Sequence, residues 1–203
     1  LKNKLEGVTD IIPAYSSITV VYDYMKVYEQ QLKKENIQSV SSLIKKWMEV
    51  NLTEHVNDTG ANKKEIIIPV CYDKTLGLDI ESVAQKHNLT IQEVIELHTA
   101  TTYRVFMNGF LPGFAYLGIV DPGIQTPRHE SPRPVVKAGS VGIAGMQTGI
   151  YPMNSPGGWQ IIGRTPIKIF DKAPAILGKL SAGNRIQFYP IDFAEFEKLN
   201  EYK

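Results

Sequence analysis

Glycine and proline are concentrated in one stretch of the chain, residues 107–164. It holds eleven of the 16 glycines and seven of the 12 prolines, with aromatic residues interspersed among them. Glycine permits positive φ and close approach of the backbone, whereas proline restricts φ and lacks a backbone donor. A stretch that alternates the two forms sharply turned, defined backbone rather than a flexible linker. We expect this stretch to carry the surface through which the protein binds other molecules.

The residues before this stretch predict a small α+β domain over residues 1–64. β-forming runs and apolar residues at helical spacing indicate two strands followed by two helices. These elements are predicted at residues 8–12, 18–22, 25–35 and 40–52. A polar segment around Asn57–Gly60 then marks the domain boundary.

Residues 65–190 predict a small closed β-barrel, because short β-forming runs alternate there with glycine and proline turns. The runs lie at residues 65–72, 103–107, 140–144, 147–151, 159–164, 167–170 and 185–189. Asp79 is placed to cap a helix, and Thr90 and Glu93 have the spacing of a capping box that opens a second helix. The spacing of apolar residues in 191–203 predicts a C-terminal helix.

The charge balance and the lack of long apolar runs exclude several classes of protein. The chain has 22 basic and 21 acidic residues and a net charge of +1, so it offers no field for nucleic acid or an anionic membrane. No apolar run approaches the roughly 20 residues that span a bilayer. The single cysteine, Cys71, fits a reducing compartment. We expect a cytoplasmic protein that binds neither nucleic acid nor membrane, and a start at Leu1 leads us to expect a preceding segment.

The sequence lacks the common motifs for phosphate and metal binding. No P-loop is present, and the four histidines (His55, His87, His98 and His129) lack the close spacing of metal ligands. We therefore expect no metal site. We interpret Cys71, which lies in an apolar run, as a small buried residue. His98 lies late in a predicted helix, where it either faces a pocket or stabilises the helix C-terminus.

Two arginines in the motif PRHESPR, Arg128 and Arg133, each follow a proline that restrains the backbone. A fixed guanidinium suits bidentate capture of a carboxylate or phosphate, and the alternative is a pair of salt bridges at the barrel rim. Aromatic and proline residues nearby predict a ligand groove. The candidate binding residues are His98, Phe110, Pro112, Phe114, Tyr116, Arg128, Arg133, Gln147, Thr148, Tyr151, Ser155, Trp159 and Arg164.

Three motifs carry a family resemblance: GFLPGFAYLG, TPRHESPRPVVKAGSVGIAGMQTGIYP and SPGGWQIIGRTP. They resemble the family that contains KipI, the B-type subunit of prokaryotic 5-oxoprolinase (PxpB) and the subunit-1 region of allophanate hydrolase. The resemblance runs from about residue 13 to the last predicted strand. It implies an α+β N-terminal domain, with a further strand and helix before Gly7, and an all-β cyclophilin-like barrel as the C-terminal domain.

The resemblance implies two alternative functions, and the residues do not distinguish them. We expect a subunit of an ATP-dependent 5-oxoprolinase that converts 5-oxoproline to glutamate together with two partners, a KipA-like C-type subunit and an A-type subunit. ATP is then a co-substrate of the assembled complex, no cofactor is tightly bound, and the isolated chain is inactive. Arg128 or Arg133 would hold the substrate carboxylate, and the other, or Arg164, the phosphate. The alternative is a KipI-like inhibitor that binds the dimerisation region of a sensor histidine kinase.

Overall fold

The computed structural model describes residues 5–31, 39–54, 65–169 and 180–201. The chain divides into two compact units, residues 1–62 and 63–203. Most of the polar segment predicted as a domain boundary lies in 55–64, outside the described residues. In the part of the chain that the structure describes, no helix is long and apolar enough to cross a membrane.

The described part of the first unit contains a β-hairpin and two helices. The elements are β1 (Val8–Pro13), β2 (Ile18–Tyr22), α1 (Tyr24–Gln31) and α2 (Val40–Glu54). The two strands pair antiparallel, and the helical spacing of Val40 and Ile44 places both side chains in the core against Val8 and Val27. All four elements confirm the sequence prediction, although residues 32–35 of the predicted first helix lie outside the described residues.

Seven strands of the second unit close a barrel. The described strands of this unit are β3 (Glu65–Cys71), β4 (Thr102–Asn108), β5 (Ala115–Gly118), β6 (Arg133–Val136), β7 (Ser140–Ala144), β8 (Gln147–Ile150), β9 (Ser155–Gly157), β10 (Gln160–Arg164) and β11 (Arg185–Ile191). The barrel order is β10-β3-β11-β4-β5-β8-β7, with β10 and β7 paired to close it. β3 and β11 run parallel, whereas the other neighbours are antiparallel. The barrel predicted from the sequence is confirmed.

The strand pattern differs from the prediction in two respects. Residues 167–169 form no strand, so the strand predicted over 167–170 is wrong for its described residues, and Phe170 lies outside them. Strands β5, β6 and β9 were not predicted. β6 and β9 contain Pro134 and Pro156 and pair with each other as a separate two-stranded sheet, where an edge strand tolerates a proline.

The helices of the second unit are α3 (Ile80–Lys86), α4 (Ile91–Ala100) and α5 (Phe193–Glu201), and a 3-10 turn spans Pro122–Ile124. The capping box before α4 is confirmed, since the Thr90 hydroxyl accepts from the Glu93 backbone and Glu93 accepts from that of Thr90. The cap predicted for α3 is wrong: Asp79 occupies the N-cap position but makes no side-chain capping hydrogen bond. Its carboxylate has other partners, described below.

A histidine lies in the centre of the barrel core among aliphatic and aromatic side chains. His98 is fully buried, and its ring stacks on Phe188 at a centroid distance of 4.9 Å. The Thr148 hydroxyl donates to the Gly142 carbonyl at 3.0 Å, so His98 Nε2 donates to Thr148 at 3.0 Å and Nδ1 accepts from the Tyr72 hydroxyl at 2.8 Å. Burial lowers the pKa of His98 to about 3, which keeps the ring neutral.

Candidate functional site

An aromatic groove of about 360 Å³ opens on the second unit. This volume lies at the small end of the range of about 300–1,000 Å³ typical of ligand pockets. Seven of the predicted site residues line it: Phe110, Phe114, Tyr116, Arg128, Tyr151, Ser155 and Trp159. The structure therefore brings together aromatic, cationic and hydroxyl side chains that are up to 49 positions apart in the chain (110 to 159).

Phe114 organises the walls of the aromatic groove. Its buried ring makes edge-to-face contacts with Phe110, Tyr116, Tyr151 and Trp159 at centroid distances of 5.7, 4.9, 5.4 and 5.3 Å. Edge-to-face pairs are each favourable by about 0.5–1.5 kcal/mol beyond the area they bury. The aromatic walls are thus held in place by one another before any ligand arrives.

The loop between β4 and β5 presents Phe110 at the groove. The Gly109 N–H donates to the Phe114 carbonyl at 3.1 Å, and the Phe114 N–H donates to the Leu111 carbonyl at 3.0 Å. Phe110 has φ of 65° and is 63% exposed. A left-handed conformation costs a residue with a side chain about 1–2 kcal/mol. Such strain in an exposed aromatic residue is typical of a binding site.

Arg128 supplies the positive charge of the aromatic groove. Among the described residues that line the groove there is no acidic side chain. Burial raises the pKa of Tyr116 and of Tyr151, and the Arg128 charge opposes that rise at both. Both phenols therefore remain neutral at physiological pH. An anionic group of a ligand can bind Arg128 without competition from a carboxylate in the groove.

Ser155 supplies a buried polar group without a partner. The residue is 8% exposed, and its Oγ has no hydrogen-bond partner among the described residues. It lies in β9 and lines the aromatic groove. A buried hydroxyl that lacks a partner costs about 1–3 kcal/mol. A ligand group that hydrogen-bonds to Ser155 would remove this cost.

Arg133 lies outside the groove, where it pairs with Asp79. Its Nη1 and Nη2 donate to the two carboxylate oxygens at 2.9 and 2.5 Å. The same carboxylate accepts from the Ile161 N–H at 2.6 Å, and His129 Nε2 lies 3.3 Å from it. This geometry matches the salt-bridge alternative for Arg133. The His129 backbone N–H also donates to the Gly158 carbonyl at 2.7 Å. Together with the contacts to Asp79, this hydrogen bond holds the loop that carries Arg128.

The other predicted site residues are not brought to the aromatic groove. His98 and Thr148 lie in the barrel core, Gln147 lies in β8, and Pro112 is exposed in the β4–β5 loop. Arg164 donates from Nε to the Ala138 carbonyl at 2.8 Å and lines a separate cavity of about 590 Å³. Burial lowers the pKa of Arg164.

Sequence reasoning missed the aliphatic, proline and glycine residues of the groove. These are Leu111, Pro132, Pro156, Gly157 and Gly158. At Gly157 a Cβ atom would lie 2.8 Å from Cε1 and Cζ of Tyr151, so only glycine leaves room for that ring. The motif SPGGW was visible in the sequence, and its paired glycines beside a tryptophan were the available signal.

Comparisons with known proteins place this chain in a family. The model of the family "Carboxyltransferase domain, subdomain C and D" matches residues 1–177. The chain is 42% identical over 195 residues to a protein of Bacillus subtilis (strain 168) that is named as the B-type subunit of 5-oxoprolinase, covering 96% of this chain and 80% of the relative.

Two solved structures are also similar. The conserved uncharacterized protein PH0987 from Pyrococcus horikoshii is 44% identical, with 96% of this chain and 84% of that chain covered and a TM-score of 0.63. The structure of TTHA0988 is 32% identical with a TM-score of 0.69, and the match covers 94% of this chain but 34% of that chain. The chain thus spans about a third of the length of TTHA0988.

Proposed function

The chain belongs to the family of carboxyltransferase domains, subdomains C and D, and within it to the B-type subunits of 5-oxoprolinase, and we propose that it is a subunit of a 5-oxoprolinase. The observation that carries the proposal is the 42% identity to the Bacillus subtilis protein, which extends over 96% of this chain. The B-type subunits of Haemophilus influenzae and Escherichia coli O157:H7 support it at 37% and 36% identity. These relatives favour the enzyme subunit over the alternative of a histidine-kinase inhibitor.

A B-type subunit acts with partner subunits, and we propose a KipA-like C-type subunit and an A-type subunit as those partners. The length of TTHA0988 supports the need for further polypeptide, because the region similar to this chain makes up only about a third of that protein. We also propose that the barrel is cyclophilin-like and that the first unit is an α+β domain. We propose a cytoplasmic location as well, which the single cysteine supports.

We propose ATP as a co-substrate of the assembled complex. The lactam of 5-oxoproline is stabilised by amide resonance, so its carbonyl oxygen takes the γ-phosphoryl group of ATP and ADP leaves. Water then adds to the activated carbon, the ring C–N bond breaks and the nitrogen takes a proton, which leaves the phosphoryl group on the new side-chain carboxyl. A second water hydrolyses this acyl phosphate and releases phosphate and glutamate. The sequence has no P-loop, so nucleotide binding falls to a partner. The contribution of this chain is the aromatic groove, where Arg128 pairs with the substrate carboxylate.

The test is reconstitution of the enzyme from separately purified subunits. ATP-dependent glutamate formation from 5-oxoproline is measured for this chain alone, for the candidate partners alone, and for the mixture. We expect activity in the mixture only. Glutamate formation by this chain alone would contradict the need for partners, and a mixture that co-purifies but leaves 5-oxoproline intact would contradict the function.

A further inference from the structure

We propose that the aromatic groove recognises a small cyclic amide acid at two separate points, with Ser155 binding the ring amide and Arg128 binding the carboxylate. The inference rests on the proposed function and deepens it, because it assigns a specificity role to Ser155. It also defines the ligand class by chemistry: a small ring that carries both an amide and an acid group.

The first point of recognition is the unpaired hydroxyl. Ser155 lines the groove, and its buried Oγ has no hydrogen-bond partner among the described residues. A serine hydroxyl both donates and accepts, and a ring amide offers an N–H donor and a carbonyl acceptor next to each other. Either half of the amide therefore satisfies Ser155, whereas a hydrocarbon ring leaves the hydroxyl unpaired.

The position of Ser155 is fixed by the surrounding backbone. In the β6–β9 sheet, Val136 is the ladder partner of Ser155. The side-chain Oδ1 of the preceding residue, Asn154, accepts a hydrogen bond from the Ala138 N–H at 2.8 Å, and the following residue is Pro156. These contacts hold the backbone that carries Ser155 in place at the groove. The ligand must bring its polar group to this position.

The second point of recognition is the guanidinium of Arg128. It lines the same groove, and its charge acts on the hydroxyls of both Tyr116 and Tyr151. Arg133 does not compete for this role, because both of its terminal nitrogens donate to Asp79. Arg128 is thus the arginine of the PRHESPR motif that is placed to bind an anion.

The aromatic walls of the groove suit a small flat ring. Phe114 and Trp159 are buried, while Tyr116 is half-buried and contributes an aromatic face. An apolar wall excludes water from the hydrogen bond to Ser155 and so strengthens discrimination. A site built to hydrogen-bond one ligand group rejects the analogue that lacks the group, because the protein partner is then left buried and unpaired.

The test uses three ligands that carry both recognised groups or only one of them. 5-Oxoproline has both the amide and the carboxylate, cyclopentanecarboxylate has only the acid, and 2-pyrrolidinone has only the amide. Their binding is followed by the fluorescence of Trp159 in the 203-residue chain, with Trp47→Phe as the common background so that one tryptophan reports. Inhibition of the assembled enzyme by the two partial ligands gives the second measurement.

We expect a crossed pattern of effects. Ser155→Ala weakens binding of 5-oxoproline and 2-pyrrolidinone by about 10-fold and leaves cyclopentanecarboxylate unchanged. Arg128→Ala weakens 5-oxoproline and cyclopentanecarboxylate by about 10-fold or more and leaves 2-pyrrolidinone unchanged. Arg128→Lys restores part of the loss. Equal weakening of all three ligands by Ser155→Ala, or no binding of 5-oxoproline to the chain or the complex, would overturn the inference.

The two proposals fail in distinguishable ways. If the assembled enzyme converts 5-oxoproline but the crossed pattern is absent, the proposed function stands and the role of Ser155 is refuted. If the crossed pattern is present but the assembled enzyme produces no glutamate, the recognition site stands and the proposed reaction is refuted.

Discussion

Mild acid is expected to destabilise the second unit through His98. In the folded chain the ring is fully buried and neutral, and burial lowers its pKa from 6.5 to about 3. The unfolded chain takes up a proton below pH 6.5, whereas the folded chain does not until about pH 3. The stability contributed by this group is therefore complete above pH 6.5 and is lost progressively as the pH falls towards 3.

The magnitude follows from the two pKa values. Between pH 7 and pH 5 the linkage relation gives a loss of about 2 kcal/mol from this one group. His98→Gln removes the titration and retains hydrogen-bonding atoms. Its cost at pH 7 is about 1–3 kcal/mol, because the Tyr72 hydroxyl or Thr148 loses an ideal partner. The substituted chain is thus less stable at pH 7 but less sensitive to acid.

The assay is urea unfolding at pH 7 and at pH 5, followed by Trp159 fluorescence with Trp47→Phe in both proteins. Carboxylates that titrate in this range contribute equally to both, so the difference between the two pH dependences isolates His98. We expect the chain with His98 to lose about 2 kcal/mol more than His98→Gln between the two pH values. Equal losses would refute the reasoning and show that the native ring titrates like the unfolded one.

Two further substitutions separate structural from ligand-binding residues. Arg133→Ala is expected to lower the free energy of unfolding by about 2–3 kcal/mol, because it leaves the buried Asp79 carboxylate without its bidentate partner. Arg128→Ala is expected to change it by less than about 0.5 kcal/mol. Thermal unfolding measures both, and equal effects would contradict the assignment. Gly157→Ala should destabilise the chain by about 1–3 kcal/mol and reduce ligand binding, because the added methyl group displaces Tyr151. Gly158→Ala should be tolerated, since the nearest heavy atom to its added Cβ lies at 3.5 Å. Urea unfolding and fluorescence titration compare the two variants.

Local patterns predicted most of the secondary structure. β2 and β7 occupy the predicted residues, and the capping box formed by Thr90 and Glu93 opens α4 as expected. These features depend on spacing over a few residues, so a single sequence contains the information. β6 and β9 escaped prediction because their prolines disfavour a central strand, and only their mutual pairing at an edge makes them strands.

The candidate site was predictable in type but not in detail. The aromatic residues and Arg128 were expected to meet, and they do line one groove. In the PRHESPR motif each of Arg128 and Arg133 follows a proline, so the sequence did not indicate which of them binds a ligand. The carboxylate that distinguishes them, Asp79, lies 54 positions before Arg133, and its local spacing indicated a helix cap instead.

By itself, the sequence determined the composition of a binding surface: glycine and proline in residues 107–164 require a turned backbone, and the interspersed aromatic residues require a place to pack. Only the tertiary structure decided which polar groups remain unpaired. Asp79 accepts from Ile161, 82 positions away, and from Arg133, whereas Ser155 Oγ has no partner at all among the described residues. The physical reason is that a hydrogen bond depends on distance in space, and barrel closure brings together groups whose separation along the chain carries no sign of their contact.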